Sequence, residues 1–319
     1  MGKLVKDYRD YQATRSSVAC IGNFDGLHRG HKMVLEQCLR LSKSYGADAL
    51  AFSFSPHPRH FLLGSDQPPL LMTDEEKIES LSRMGMDAIL LQSFDQNFSE
   101  NSAEYFRDEI LGRWLDCRAV IVGRDFRFGF RAHGDIESLQ QQNCFEVILV
   151  EASSYKGRAI SSSWIRDCLM RAELELANEL LGHPYFLSGS IIRGDGRGRR
   201  LGIPTANVRP TRLPILPSAV YMAWVEVVGE ARPQEALVNI GIRPTFEAGY
   251  SIEFHVLNSE KNLYDKNIRI HFIKKIRDEI KFMDGTGLVA QIKNDIAAAS
   301  HAFQNLNFLH SQLMPMQKI

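Results

Sequence analysis

The chain has 319 residues, 44% of them hydrophobic and 24% charged, with 38 Lys plus Arg against 38 Asp plus Glu. That composition excludes disorder and fibrous repeats, and a formal net charge of zero excludes a protein built mainly to neutralise a nucleic-acid backbone. At roughly 150 residues per domain, the length predicts two domains with separate cores. Cys20, Cys38, Cys117, Cys144 and Cys168 are odd in number and form no C-x-x-C pair. They predict reduced thiols rather than a disulfide framework or structural zinc. Residues 1–17 lack the apolar run of a signal peptide, and Lys6 stands where a myristoylation signal requires Ser or Thr. No apolar stretch approaches the ~20 residues of a membrane span. A cytoplasmic protein is expected, monomeric or weakly homo-oligomeric, with neither membrane nor nucleic acid as a partner.

In chain order, residues 18–21 read as a buried strand and 32–43 as a helix with Met33, Val34, Cys38, Leu39 and Leu41 on helical spacing. A strand over 49–54 follows, then a helix over 74–84, with Thr73 and Glu76 forming a capping box. Strands over 88–91, 118–122 and 145–150 alternate with helices over 103–115 and 135–142, and 166–181 reads as helical. Strands separated by helix-length segments imply βαβ units and a mostly parallel sheet. The pattern changes at Gly182-His183-Pro184. Beyond it, β-branched and aromatic runs over 221–228, 235–240, 251–257 and 268–272, punctuated by Gly and Pro, predict a small antiparallel barrel. A last helix over about 288–303 places Leu288, Ile292, Ile296 and Ala299 on one face. The predicted division is 1–184 and 185–319, with no internal repeat.

Two segments carry chemistry. Gly22-Asn23-Phe24-Asp25-Gly26-Leu27-His28-Arg29-Gly30-His31 lies between the first predicted strand and the first predicted helix. Its glycines allow tight turns and a close backbone approach. The helix beginning near Gly30 directs free N–H groups and its positive dipole end at the loop, which suits phosphate. His28 and His31, three apart, can face the same phosphates and stabilise charge that builds during attack on an α-phosphate. An H-x-x-H pair by itself is usually two surface histidines; the strand, Gly-rich loop and helix around it raise the signal.

The second segment runs from Gly194 through Gly198, Arg199 and Gly202 to Pro204-Thr205-Ala206-Asn207. It is Gly-rich and basic, but it is not one of the common nucleotide fingerprints. Thr205 and Asn207 supply the oxygen and amide groups that Mg²⁺ takes beside phosphate oxygens.

GNFDGLHRGH resembles the HxGH signature of the nucleotidyltransferase superfamily, and more closely the N-terminal domain of bacterial bifunctional riboflavin kinase/FAD synthetases. Pro56-His57-Pro58 is similar to that family's PHP stretch, Val122-Gly123-Arg124-Asp125-Phe126-Arg127-Phe128-Gly129 to its VGxDFxFG segment, and Ile160-Ser161-Ser162-Ser163-Trp164-Ile165-Arg166 to its ISSTxIR motif. The barrel segment resembles the riboflavin kinase domain with its PTAN motif. Asn239-Ile240-Gly241-Ile242-Arg243-Pro244-Thr245-Phe246, the strand around Glu253, and Arg277-Asp278-Glu279 with Lys281-Phe282 follow that family's order.

The resemblance implies an α/β nucleotidyltransferase domain followed by a β-barrel kinase domain with a C-terminal helix. ATP, riboflavin, FMN and FAD would be substrates or products, and Mg²⁺ the metal. It implies ATP contacts for Gly22, Phe24, Asp25, Gly26, His28, His31, Ser161, Ser162, Ser163 and Arg166 in the first domain. In the second it implies ATP contacts for Gly194, Gly198, Arg199, Gly202, Pro204 and Thr205. Mg²⁺ would lie on Thr205 and Asn207, and flavin on Asp125, Phe126, Phe128, Asn239, Arg243, Arg277, Glu279 and Phe282. Glu253 would be the general base on the ribityl 5′-hydroxyl, with His28 and His31 the catalytic pair of the first domain. Ser163 replaces the usual Thr, and Trp164 replaces an Arg that is a strong phosphate donor. Two alternatives therefore stay open: riboflavin kinase activity alone, or a non-catalytic flavin-binding regulator.

Overall fold

The computed structural model describes residues 2–63, 68–193, 202–242, 249–257, 266–280, 282 and 285–306. Among these, the residues up to Ser162 form one compact unit and those from Ser163 a second.

The first unit is built on six parallel strands, β1 (Lys3–Val5), β2 (Ser17–Ile21), β3 (Asp48–Ser55), β4 (Ala88–Ser93), β5 (Cys117–Gly123) and β6 (Glu146–Val150), in the order β1-β4-β3-β2-β5-β6. The central strand β2 is buried at every residue, as expected of a strand covered on both faces. Helices α1 (Arg29–Tyr45), α2 (Pro58–Leu63), α3 (Asp74–Arg83), α4 (Gln96–Ser99) and α5 (Ile136–Gln140) connect the strands. α1 packs on β2, β3 and β5 through buried Val34, Leu35 and Cys38, and it ends on Gly46 in the left-handed conformation at φ 61°. Complete burial of a side chain such as Leu35 contributes about 1.5–3 kcal/mol. α3 starts with the predicted capping box: Glu76 N–H donates to Thr73 Oγ1 at 3.2 Å and Thr73 N–H to Glu76 Oε2 at 2.8 Å.

Three features depart from the sequence reading. The short edge strand β1 was not expected, because three residues carry too little alternation to register. The helix expected over 103–115 is a π-helix, Tyr105–Trp114, that closes with Leu115 N–H on the Ile110 carbonyl five residues back. The stretch expected as one helix over 166–181 is two, α6 (Ser162–Met170) and α7 (Leu174–Leu181). The break falls at Ala172, left-handed at φ 56°, where the N–H groups of Ala172 and Glu173 turn back onto Leu169 and Cys168 carbonyls. No Gly or Pro marks this break; burial of Ile165, Cys168 and Leu169 on one helix and Leu174, Ala177, Leu180 and Leu181 on the other makes it worthwhile.

In the second unit, β9 (Tyr185–Ile192), β10 (Ala206–Pro210), β11 (Ala219–Val227), β12 (Gln234–Ile242), β13 (Tyr250–Val256) and β14 (Asn267–Asp278) form a closed antiparallel barrel, while β7 (Ser154–Tyr155) and β8 (Arg158–Ala159) make a separate small hairpin in the first unit. The barrel order is β10-β13-β12-β11-β14-β9, so no edge remains open. α7 packs on β9 and β14, and Asn178 joins them by donating to the Phe272 carbonyl at 2.9 Å and accepting from Tyr185 N–H at 2.7 Å. The last helix, α8 (Gly285–Asn305), covers the outer barrel face made by Val220, Met222, Trp224, Leu237 and Ile273 with Ala299 and Phe303. The parallel α/β unit followed by a barrel and a terminal helix is the fold class read from the sequence.

Candidate active sites

In the first unit the chain runs from β2 outward to β3 and β4 on one side, and returns to β5 and β6 on the other. The strand order reverses between β2 and β5, and ligands of open parallel sheets bind outside the carboxyl ends of strands at such a reversal. The loop 22–28 leaves β2 there, and the turn carrying Asp125 and Phe126 leaves β5 there.

The loop is held in a costly conformation. Phe24 and Leu27 are left-handed at φ 50° and 43°, and Gly26 at φ 83°. A left-handed non-glycine residue costs about 1–2 kcal/mol. Surrounding structure holds it in place: Phe24 and Leu27 are buried, and buried Asp25 accepts N–H bonds from Leu71 at 2.9 Å and Met72 at 3.2 Å. Ser162 Oγ donates to the Asp25 carbonyl at 2.9 Å. Gly22 and Gly30 serve closeness rather than positive φ. A Cβ on Gly22 would stand 3.0 Å from the Phe24 ring, and one on Gly30 would stand 3.3 Å from the His28 ring.

His28 caps α1, its Nδ1 accepting from His31 N–H at 3.4 Å. A ring that accepts at Nδ1 carries its proton on Nε2, which leaves Nε2–H as the donor for a ligand. The His28 and His31 rings stack at 3.7 Å and 16°, and Phe24 meets His31 edge-on at 5.5 Å. His31 is half-buried, while its Nδ1 is enclosed and makes no hydrogen bond. Burial, then the neighbouring His28 and Lys77, hold its pKa well below the usual histidine value of 6.5. The pair is therefore a stacked set of donors at a helix N-terminus, suited to developing negative charge.

The remaining residues fall as follows. Ser161 is exposed and Ser162 half-buried at the start of α6. Ser163, half-buried Trp164 and buried Arg166 follow on that helix in the second unit. Asp125 is exposed and Phe126 half-buried; Phe126 stacks on Phe128 at 5.5 Å and 15°. Phe128 is buried and also packs on Phe106 at 5.4 Å, inside a core with Phe52, so packing accounts for it. Pro58 opens α2, and His57 Nδ1 accepts from Arg59 N–H at 3.1 Å.

In the barrel, register builds the site. Asn207 on β10 lies opposite Glu253 on β13, Glu253 opposite Asn239 on β12, Asn239 opposite Val220 on β11, and Val220 opposite Arg277 on β14. Directly opposed residues share a face, and Val220 belongs to the outer face covered by α8. Asn207, Glu253 and Asn239 thus form a polar row on the outside of the barrel, next to an apolar patch. Glu253 accepts from Ser251 Oγ at 3.4 Å. Half-buried Thr205 immediately precedes β10, and His255 Nδ1 donates to the Pro204 carbonyl at 2.8 Å, tying that segment to β13. Gly202 is left-handed at φ 75°. Asn239 and Glu279 both face Gly241, where an added Cβ would stand 2.9 Å from Glu279 Oε1 and 3.4 Å from Asn239 Nδ2.

Arg277 is committed elsewhere. Its Nε bonds both Asp295 oxygens at 3.0 Å and its Nη2 bonds Oδ2 at 2.7 Å, in an ion pair that fastens α8 to β14. Phe282 is half-buried. Gly194, Gly198, Arg199 and Arg243 lie outside the described residues. Sequence reasoning missed Asp295, a buried carboxylate in the apolar stripe of α8, and Lys77, a buried lysine on α3. The available signal for each was a charge at a core-facing helical position.

A doubly wound unit with a histidine loop at its strand reversal, followed by a barrel with a carboxylate–amide row, defines a two-site transferase. Residues 10–164 match the family model for FAD synthetase, and residues 181–303 match that for riboflavin kinase. A Buchnera aphidicola protein described as bifunctional riboflavin kinase/FMN adenylyltransferase is 35% identical over 309 residues, covering 94% of this chain and 99% of that one. Proteins of the same description from Escherichia coli (36% identical, 90% and 92% covered) and Bacillus subtilis (35%, 91% and 93%) are similar over nearly their whole lengths. A crystal structure described as a macrolide-efflux protein from Streptococcus pneumoniae shares the fold, with TM-score 0.84 at 24% identity over 93% of this chain and 98% of that one. The chain belongs to the bifunctional riboflavin kinase/FMN adenylyltransferase family. Both domains are present, so the bifunctional reading stands over the kinase-only and regulator alternatives. No helix among the described residues is long and apolar enough to cross a membrane.

Proposed function

We propose that the barrel transfers the γ-phosphoryl group of ATP to the 5′-hydroxyl of riboflavin, and that the first unit then transfers AMP from a second ATP to FMN, releasing pyrophosphate. The observation that supports this best is the presence, in one chain, of a stacked histidine pair at a helix N-terminus and a carboxylate set between two amides on a barrel face. Glu253 orients the ribityl hydroxyl and takes its proton as phosphoryl transfer proceeds. The oxygen donors Thr205 and Asn207 beside it fit Mg²⁺, which would neutralise phosphate charge there. Asn239 and Glu279 line the flavin side, while Arg277 acts through Asp295 rather than on flavin. Gly194, Gly198, Arg199, Gly202 and Pro204 are assigned to ATP, and Arg243 and Phe282 to flavin.

In the first unit, His28 Nε2–H and His31 donate to the α-phosphate as charge builds. The helix N-terminus, the loop 22–26, Ser161, Ser162, Ser163 and Arg166 hold ATP, and Asp125 and the exposed part of Phe126 meet flavin. No covalent intermediate is needed; placement of two substrates and charge stabilisation carry the step. We assign residues 1–184 to adenylyl transfer and 185–319 to the kinase, in a cytoplasmic enzyme that is monomeric or weakly homo-oligomeric.

The test is to incubate purified protein with riboflavin, ATP and Mg²⁺ and separate the flavins over time. FMN is expected first and FAD second. FMN accumulating without FAD, even when FMN is supplied directly, would leave a kinase alone; bound flavin without any conversion would leave a regulator.

A further inference from the structure

Lys77 is an unusual residue for its place. Lysine is almost never fully buried without a partner, yet Lys77 on α3 is 4% exposed, and among the described residues it is the one buried lysine. Its Nζ lies 3.3 Å from Ser53 Oγ and 3.5 Å from the Phe54 carbonyl at the carboxyl end of β3, and 3.4 Å from Asp74 Oδ1. Ser53 Oγ in turn donates to the Asn23 carbonyl at 3.2 Å, inside the loop that leads to His28 and His31. The start of α3 grips the same loop a second way, since the residues just before it, Leu71 and Met72, donate to Asp25. A cation that is half of a buried relay, ending on a strained loop, is not explained by packing alone.

We propose that Lys77 is a positioning residue for adenylyl transfer, clamping the carboxyl end of β3 to the loop 22–28 through Ser53 and keeping its charge close to the histidine pair. The proposal rests on the adenylyl-transfer reading of the first unit. The charged and titratable groups bearing on His31 are His28 and Lys77; burial lowers the Lys77 pKa, and Asp74 and Asp25 oppose that shift and favour its charge. Because the Lys77 charge disfavours a proton on His31, its removal makes His31 easier to protonate. The acid limb of the adenylyl-transfer profile then moves to higher pH; water admitted by looser packing would move it the same way, since burial is the first cause of the His31 shift, and Ser53→Ala, which loosens the clamp but keeps the charge, separates the two causes.

The experiment uses the full chain and measures FMN adenylylation and riboflavin phosphorylation side by side across pH. Wild type without adenylylation would defeat the underlying reading rather than this inference. With wild type active, Lys77→Met is expected to lower adenylylation roughly tenfold and raise its acid limb, with phosphorylation within about twofold of wild type. Lys77→Arg, which keeps the charge, is expected to return the limb to the wild-type position. Ser53→Ala cuts the relay but not the charge, so the rate is expected to fall several-fold with the limb unmoved; this variant also decides the matter if Lys77→Met does not fold. Full-rate adenylylation in Ser53→Ala, or a Lys77→Met profile with an unshifted limb, overturns the proposal.

Discussion

The two units solve the same problem, holding a nucleotide against a flavin, in different ways. The proposed site of the first lies on a loop beyond the strand ends, and that loop is held by groups far away in sequence: Asp25 by Leu71 and Met72, Asn23 by Ser53, Ser53 by Lys77. The proposed site of the second lies on the strands themselves, where cross-strand register sets Asn207, Glu253 and Asn239 side by side. A loop site needs buried polar groups to fix it, and the first unit accordingly buries Asp25, His28, Glu76 and Lys77. A strand site is fixed by the ladder, and its supporting charge, the Arg277–Asp295 pair, holds the covering helix rather than the reacting row.

Because the two reactions are assigned to different residues, each substitution should affect one reaction and spare the other, which gives four ways to break or sharpen the comparison. The largest effect is expected from Glu253→Gln: riboflavin phosphorylation falls by about 10²–10⁴-fold, while adenylylation of supplied FMN is retained. Flavin separation after separate incubations checks this, and parallel loss of both reactions would contradict the division of labour. Next comes His28→Ala, expected to lower adenylylation by about 10²–10³-fold and leave FMN formation intact, read in the same assay. Gly30→Ala should have a smaller, more telling effect. Its methyl group stands 3.3 Å from the His28 ring, so adenylylation drops several-fold. Stability should not fall, since Ala suits a helix better than Gly by about 0.5–1 kcal/mol; a urea midpoint measured beside the rate separates the two.

The smallest effect concerns pH. His31 has its folded-state pKa pushed below 6.5 by burial. The unfolded chain therefore takes up the proton first, and stability contributed by the neutral buried ring is present above pH 6.5 and declines as pH falls below it. Urea midpoints at about pH 5.5 and about pH 7.5 should differ in wild type and differ less in His31→Gln. An equal slope in the two proteins would show that His31 is not the group responsible.

Much of this was legible without coordinates. Alternating strands and helices, then a run of strands, gave the parallel unit and the barrel, because burial periods of 3.6 and 2 are written directly into residue order. Thr73 and Glu76 announced their capping box because caps are local. The histidine loop was legible too, since a strand, a Gly-rich turn and a helix follow one another in the chain. The break at Ala172 was not, because no residue type demands it; it satisfies packing on both sides of the bend. Phe24 and Leu27 in left-handed conformations were equally invisible, since neither residue type favours positive φ.

What the sequence determined by itself was the class of most elements, the order of the two units and the family to which the chain belongs. Those follow from periodicity, propensity and residue type, all of which are local. What only the tertiary structure decided was who holds whom: Arg277 paired with Asp295, Phe128 drawn into the core, Glu279 brought against Gly241, and Lys77 buried beside Ser53. Each of these contacts joins positions distant in the chain, and the energy of ordering a charge or a strained loop is supplied only when the distant partner arrives.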